Sequence, residues 1–278
     1  MLHLFGMVSQ ECSEVVTKRY STSFASAIRL LHKDLRAPIF NIYGFVRFAD
    51  EIVDTFHDYN KTELLQQFKT ETFEAINRKI SLNPILNSFQ RTVNEYKIDH
   101  QLINSFFHSM EMDLSMQQYD EPGYEEYIYG SAEVVGLMCL QVFCNGCRDT
   151  YQKLEIYARS LGAAFQKVNF LRDIKADYND LSRTYFPGCD FTNFSNIQKL
   201  KIEEEIEKDF QNAYSGILQL PFKARFGVYV AYKYYLSLFR KIRRTAPSRI
   251  MQARISIPNY HKAMIVVRAG VKNQLRMI

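Results

Sequence analysis

The chain has 278 residues, 47% of them hydrophobic, and a formal net charge of +5. That length supports one large core, or at most two. The mild basic excess fits attraction to an anionic substrate or surface, but with no nucleic-acid-binding module and no long basic stripe it excludes nucleic acid as a partner.

The start, MLHLFGMVSQECSEVV, lacks a basic segment followed by an apolar one, so no cleaved leader is expected. Helical periodicity then dominates from end to end. The spacing predicts helices over 9–31, 38–58, 61–79, 84–96, 99–118, 123–146, 150–180, 195–219, 222–244 and 247–276, the last broken near Pro258. Pro38 is expected to open the second, at a position where its missing N–H is harmless. Asn83-Pro84, Pro122-Gly123, Pro187-Gly188 and Pro221 punctuate the others. With 7 Pro, 11 Gly and no alternating strand or linker, residues 1–278 read as a single all-α domain. No apolar run approaches ~18 uninterrupted residues, so no membrane-spanning helix is expected, and the C-terminal VRAGVKNQLRMI does not read as an anchor.

Aromatics make up 14% of the chain, with 18 Tyr, 21 Phe and no Trp. They read first as core and also permit an apolar, π-rich cavity. Five irregularly spaced cysteines include one C-x2-C pair, Cys144 and Cys147, without a second pair or a His cluster. They read as free thiols in a reducing compartment rather than as a zinc site, so the expected location is cytoplasmic.

Two aspartate pairs of identical spacing carry the chemistry: Asp50 and Asp54 in FVRFADEIVDTF, and Asp173 and Asp177 in AFQKVNFLRDIKADY. With Tyr43 at 0° and about 100° per residue, Arg47 falls at about 40°, Asp50 at about 340° and Asp54 at about 20°. Glu51 lies at the edge of this arc, and Ile42, Phe45, Val46, Ala49, Ile52 and Val53 fill most of the rest. From Gln166, Asn169 falls at about 300°, Asp173 at about 340° and Asp177 at about 20°, with Arg172 flanking them.

Either stripe alone could be an ordinary solvent face, but a solvated face usually carries Lys and Glu. Like charges at i,i+4 destabilise a bare helix by a few tenths of a kcal/mol, and Mg²⁺ would compensate both pairs. Mg²⁺ takes one or two carboxylates plus phosphate oxygens in preference to an all-protein cage. Arg47 and Arg172 are suited to bidentate contact with the same phosphate groups.

At these residues the chain resembles the squalene/phytoene synthase family. Tyr20-Ser21-Thr22-Ser23-Phe24 resembles its S-x-S-F segment, and Arg36 through IYGFVRFADEIVD its first Asp-rich helix. Met112-Asp113 followed by YIYGSAEVVG resembles its middle helices. Leu161-Gly162 to Asp177, followed by Arg183-Thr184-Tyr185-Phe186-Pro187, resembles its second Asp-rich motif and exit. The resemblance implies an isoprenoid-synthase-type helical bundle around a central apolar cavity, and head-to-head condensation of two prenyl diphosphates through a cyclopropyl diphosphate. It implies that Asp50, Asp54, Asn169 and Asp173 are Mg²⁺ ligands supported by Asp177, with Mn²⁺ able to substitute. Tyr20, Ser21, Ser23, Tyr43, Arg47, Gln166, Arg172, Tyr235 and Arg254 would hold substrate. Tyr129 would sit near the reacting carbons, although its position equally suits a packed core tyrosine. Glu133 follows Ala132 where many members carry Gly, which would alter helix packing or add a polar contact.

Among members the chain is most like a bacterial phytoene synthase of carotenoid biosynthesis, condensing two geranylgeranyl diphosphates without NADPH. Dehydrosqualene or squalene synthesis from farnesyl diphosphate is the alternative. A non-catalytic assembly-factor relative would show eroded Asp motifs, and both are intact here. The Tyr-, Phe-, Lys- and Arg-rich stretch 222–244 reads as a core helix with a basic face, or as a peripheral contact with the inner face of a membrane. Oligomeric state is not legible.

Overall fold

The computed structural model describes residues 2–179, 183–189, 191 and 194–275, apart from the side chains of 177 and 179. Helix α1 (Leu2–Tyr20) buries small polar residues rather than large apolar ones: Gly6, Ser9, Ser13 and Thr17. Their hydroxyls are satisfied locally or across the seam. Ser13 Oγ lies 2.6 Å from Ser88 Oγ, and Asn87 Nδ2 donates to Ser9 Oγ at 2.9 Å. Such small contacts let α1 lie close against α3 (Lys33–Thr55) and α5 (Pro84–Tyr96).

The expected helix 9–31 is in fact two. Ser21 adopts an extended conformation and caps α2 (Thr22–Arg29), its Oγ accepting from the Phe24 amide at 3.3 Å. That cap separates α2 from α1. Pro38 does not open α3, which starts five residues earlier behind a His32 cap; Pro38 is buried within the helix. The fold continues through α4 (Lys61–Arg78), α6 (His100–Ser115), α7 (Glu121–Ile128), a π turn (Tyr129–Glu133) and α8 (Val134–Cys144). It ends with α9 (Arg148–Asn179), α10 (Asn196–Ile217), α11 (Phe222–Arg243), the short α12 (Pro247–Ile250) and α13 (Asn259–Gln274). The C-terminal helix expected over 247–276 is thus interrupted well before Pro258. Among the described residues there is one isolated bridge, Gln118 to Thr184, and no strand. The fold is therefore all-α.

The buried residues form two clusters. One centres on α3 to α6 and is dominated by Phe45, Phe89, Phe106 and Phe107, with Phe45 and Phe89 stacked at 3.8 Å between centroids. The other centres on α9 to α11. Helix α9 has 32 residues, about 48 Å at 1.5 Å per residue, and forms the spine between them.

The helical run 121–144 is long and apolar enough by composition to cross a membrane, but half of its apolar window is buried inside the bundle. Val134, Leu137, Met138, Leu140 and Val142 supply core. On α11, Tyr229, Val230, Tyr232, Tyr234, Tyr235, Leu236 and Phe239 are buried, whereas Phe222 at its start is exposed.

The π turn sets how closely α6 approaches. A Cβ on Gly130 would lie 2.5 Å from the Ser105 carbonyl oxygen, a backbone atom that cannot swing aside. Gly130→Ala is expected to lower stability by about 1–3 kcal/mol through overpacking. The thermal midpoint should fall by several degrees, which differential scanning calorimetry would register.

Candidate active site

A cavity of about 710 Å³ opens between the two clusters and is lined from both. Along α3 it runs from Ile39 to Asp54, and along α9 from Leu154 to Asp173. The latter span is about 28 Å at the α-helical rise. One end carries the carboxylates; the remainder is lined mainly by apolar side chains such as Ile28, Leu31, Phe106, Met110 and Leu140.

The cavity collects nearly every site residue expected from the sequence: Tyr20, Ser21, Ser23, Tyr43, Arg47, Asp50 and Asp54 from α1 to α3, Gln166, Asn169, Arg172 and Asp173 from α9, Tyr235 from α11, and Arg254 after α12. Asp177 lies on α9 by its backbone, and its side chain is outside the described residues. Tyr129 is the exception. It is not among the cavity residues and packs instead beside the α3–α6 cluster, with the Arg159 guanidinium 5.2 Å from its ring centroid. Tyr127, two residues earlier and so about 200° away around a helix, takes the cavity face. Glu133 supplies the polar contact that its substitution allowed, accepting from Arg159 Nε at 2.5 Å.

The two stripes are joined by aromatic contacts. Phe24 lies 5.6 Å from Tyr43 and 5.7 Å from Tyr235, centroid to centroid, and Phe165 stacks on Tyr235 at 3.9 Å. Tyr235 Oη donates to Asn169 Oδ1 at 3.2 Å, and Asn169 Nδ2 donates to Gln166 Oε1 at 3.4 Å. Burial pushes the Tyr43 hydroxyl up to about 12, against the opposing hydrogen bond with Ser21. It therefore stays a neutral donor near neutral pH.

Each described carboxylate of the stripes is held by a guanidinium. Arg47 donates to Asp50, and to Glu51 at 2.5 Å. Arg183 reaches Asp54 at 2.9 Å. Asp173 receives Arg172 Nε at 3.0 Å and Arg254 Nε at 2.8 Å. Burial works against the charge on Arg172, but Asp173 and Tyr235 outweigh it and hold the guanidinium more firmly protonated. The surrounding protein, then the nearby Asp54, pushes the Asp50 carboxyl well above the usual carboxylate range.

A buried cluster around Asp113 adjoins the mouth. Asp113 on α6 is buried and accepts from Tyr127 Oη at 2.6 Å, Tyr119 Oη at 3.2 Å and Tyr185 Oη at 3.3 Å. Arg183 Nη2 donates to the Asp113 carbonyl at 2.9 Å, and Nη1 lies 3.8 Å from its carboxylate. Burial pushes the Asp113 carboxyl up to about 6, against the pull of Arg183 and Tyr127. Sequence reasoning included Asp113 and Arg183 in matching motifs but gave them no role. The available signal was a lone aspartate in the apolar run FFHSMEMDL.

Among the described residues, no three of His, Cys, Asp and Glu come together as a self-sufficient metal cage. The donors present are Asp50, Asp54, Asn169 and Asp173, all hard oxygen ligands around one cavity. That set fits Mg²⁺ shared with a phosphate-bearing ligand, since Mg²⁺ is bound through one or two carboxylates plus phosphate oxygens. Arg47 Nε is buried at this mouth without a hydrogen-bond partner, as an incoming anionic oxygen would require.

Residues 17–261 match the squalene/phytoene synthase family, and the chain belongs to it. It is 27% identical over 208 residues to a 4,4'-diapophytoene synthase of Staphylococcus haemolyticus, covering 72% of this chain and 68% of that one. It is 26% identical over 294 residues to a phytoene synthase of Arthrospira platensis, covering 95% and 93%. The fold superposes on a dehydrosqualene synthase crystal structure, determined in complex with ligand, at a TM-score of 0.82 with 19% identity, covering 98% of both chains. Members of the family are prenyltransferases that act on prenyl diphosphates.

Proposed function

We propose that the cavity joins two geranylgeranyl diphosphates head to head to give phytoene, through a cyclopropyl diphosphate, with Mg²⁺. One observation carries this reading: two aspartate stripes with attendant arginines stand at one end of a long apolar cavity. Support for the longer donor comes from the near end-to-end match to a phytoene synthase. It also comes from the extent of the cavity, which runs along α9 from Leu154 to Asp173.

Asp50, Asp54, Asn169 and Asp173 would hold Mg²⁺, which when bound supplies Lewis acidity to the departing diphosphate. Arg47, Arg172 and Arg254 turn from their carboxylates to the phosphate oxygens, and the Tyr43 hydroxyl donates to the same oxygens. The C–O bond of one donor breaks, its electron pair leaving with the diphosphate. The double bond of the second donor attacks the allylic cation, and loss of a proton closes the cyclopropane. A second C–O cleavage, its electron pair again leaving with the diphosphate, and rearrangement give a cation that loses a proton to form the central double bond of the hydrocarbon. Phe24, Phe165 and Tyr235 exclude water from the cation, and their faces stabilise it by about 0.5–2 kcal/mol each. No nicotinamide is invoked.

A second reading, with two farnesyl diphosphates, is favoured by the likeness to a 4,4'-diapophytoene synthase. Incubation with each diphosphate and Mg²⁺, with and without NADPH, followed by mass analysis of the hydrocarbon, separates the two. A forty-carbon product formed without NADPH is expected. Thirty-carbon products alone would overturn the donor assignment, and no hydrocarbon from either donor would overturn the reaction.

A further inference from the structure

All 30 acidic residues lie at or before Asp209, whereas 13 of the 35 Lys and Arg follow it. The C-terminal quarter of the chain is therefore uniformly basic in an otherwise acidic protein. Within it, α13 is amphipathic in an unusual sense. Its inward side is light: Ala269 is buried, and Ile265 and Val266 pack against the α9–α11 cluster. Its outward side carries more apolar side chains than its inward side. Tyr260, Val267 and Leu275 are 69%, 66% and 65% exposed, with Met264 and Val271 between them. At about 100° per residue these five fall within about 80° of arc. Arg268 and Lys272, both exposed, flank one edge.

A contiguous exposed apolar stripe marks an interaction surface, and the charge around it selects the occupant. A second copy of this chain would set one basic region against another. A neutral partner would leave the cationic edge unused. An apolar stripe with a Lys/Arg margin is the pattern of a helix lying in the interface of an anionic bilayer. The position agrees: Arg254, Ile257 and Lys262, at and just before the start of α13, line the cavity. We propose that the outer face of α13 docks the protein on an anionic lipid surface, with the cavity margin beside the membrane.

Sedimentation of the full chain with phosphatidylglycerol-containing vesicles tests this independently of turnover. At about 0.1 M salt the protein should pellet, and it should be released when salt is raised to about 1 M. Val267→Asp with Val271→Asp, and separately Arg268→Glu with Lys272→Glu, should each weaken partition by more than about tenfold. Both double variants should keep their circular dichroism and thermal midpoint. Equal pelleting with phosphatidylcholine alone would overturn the proposal, as would undiminished binding by both variants. Light scattering that shows a dimer broken by the valine substitutions would also overturn it, by assigning the face to a second copy. A chain that pellets but forms no hydrocarbon would sink the proposed reaction and leave the docking surface standing. Turnover of detergent-dispersed substrate by a chain that ignores vesicles would do the reverse.

Discussion

Asp173→Ala is expected to lower hydrocarbon formation by about a thousandfold or more, the equivalent of some 4 kcal/mol of transition-state stabilisation. Stability should barely move. Asp173 is partly exposed and bonded to Arg172 and Arg254 at the cavity mouth, and such pairs contribute about 0–1 kcal/mol to folding. The chemical loss would be large because, in the proposed reaction, the carboxylate is required when negative charge gathers on the departing diphosphate. Asp50→Ala should behave alike from the opposite stripe. Single-turnover product release with far-UV circular dichroism on the same samples separates the two effects. Near-normal turnover by either variant would remove the carboxylates from the metal-binding role.

Asp113 reverses that balance. Its side chain is 4% exposed and accepts from three tyrosines while facing the buried Arg183. Asp113→Leu would leave the Arg183 guanidinium inside the protein with Asp54 as its carboxylate partner, and three buried hydroxyls would lose their acceptor. Breaking a buried pair from one side costs about 3–5 kcal/mol, which for a domain of this size lowers the midpoint by roughly 10 °C. Combining Asp113→Leu with Arg183→Met should recover part of the loss, because the uncompensated charge goes with the partner. A single variant as stable as the parent, or a double variant no better than the single, would show that the cluster is not coupled in this way.

These two predictions also mark what the sequence revealed. The stripes were legible because α-helical geometry places Tyr43, Arg47, Asp50 and Asp54 on one arc, and a period survives without knowledge of tertiary contacts. All four do line the cavity. The Asp113 cluster draws on α6, α7 and the segment after α9, and no local spacing reports such a convergence. The break at Ser21 had a signal, a hydroxyl able to cap, but the apolar pattern ran through it. Tyr129, placed near the reacting carbons by the resemblance, packs as the core tyrosine its position equally suited, and Tyr127 lines the cavity. The outward stripe of α13 was not legible because apolar periodicity alone does not say which face turns to solvent.

The arginines bonded to the aspartates pair the opposite charges of the mouth with one another. A cation arriving alone would have to displace Arg47 or Arg172 from its carboxylate and strand a guanidinium. A diphosphate arriving alone would meet carboxylates stripped of their counterions. Entering together, they satisfy both sets of charges at once. On the proposed reading each would therefore strengthen the other's hold by the same factor, as thermodynamic reciprocity requires. The mouth would then act as a coincidence detector: weakly responsive to free magnesium or to bare prenyl diphosphate, and committed only when the two arrive as a complex.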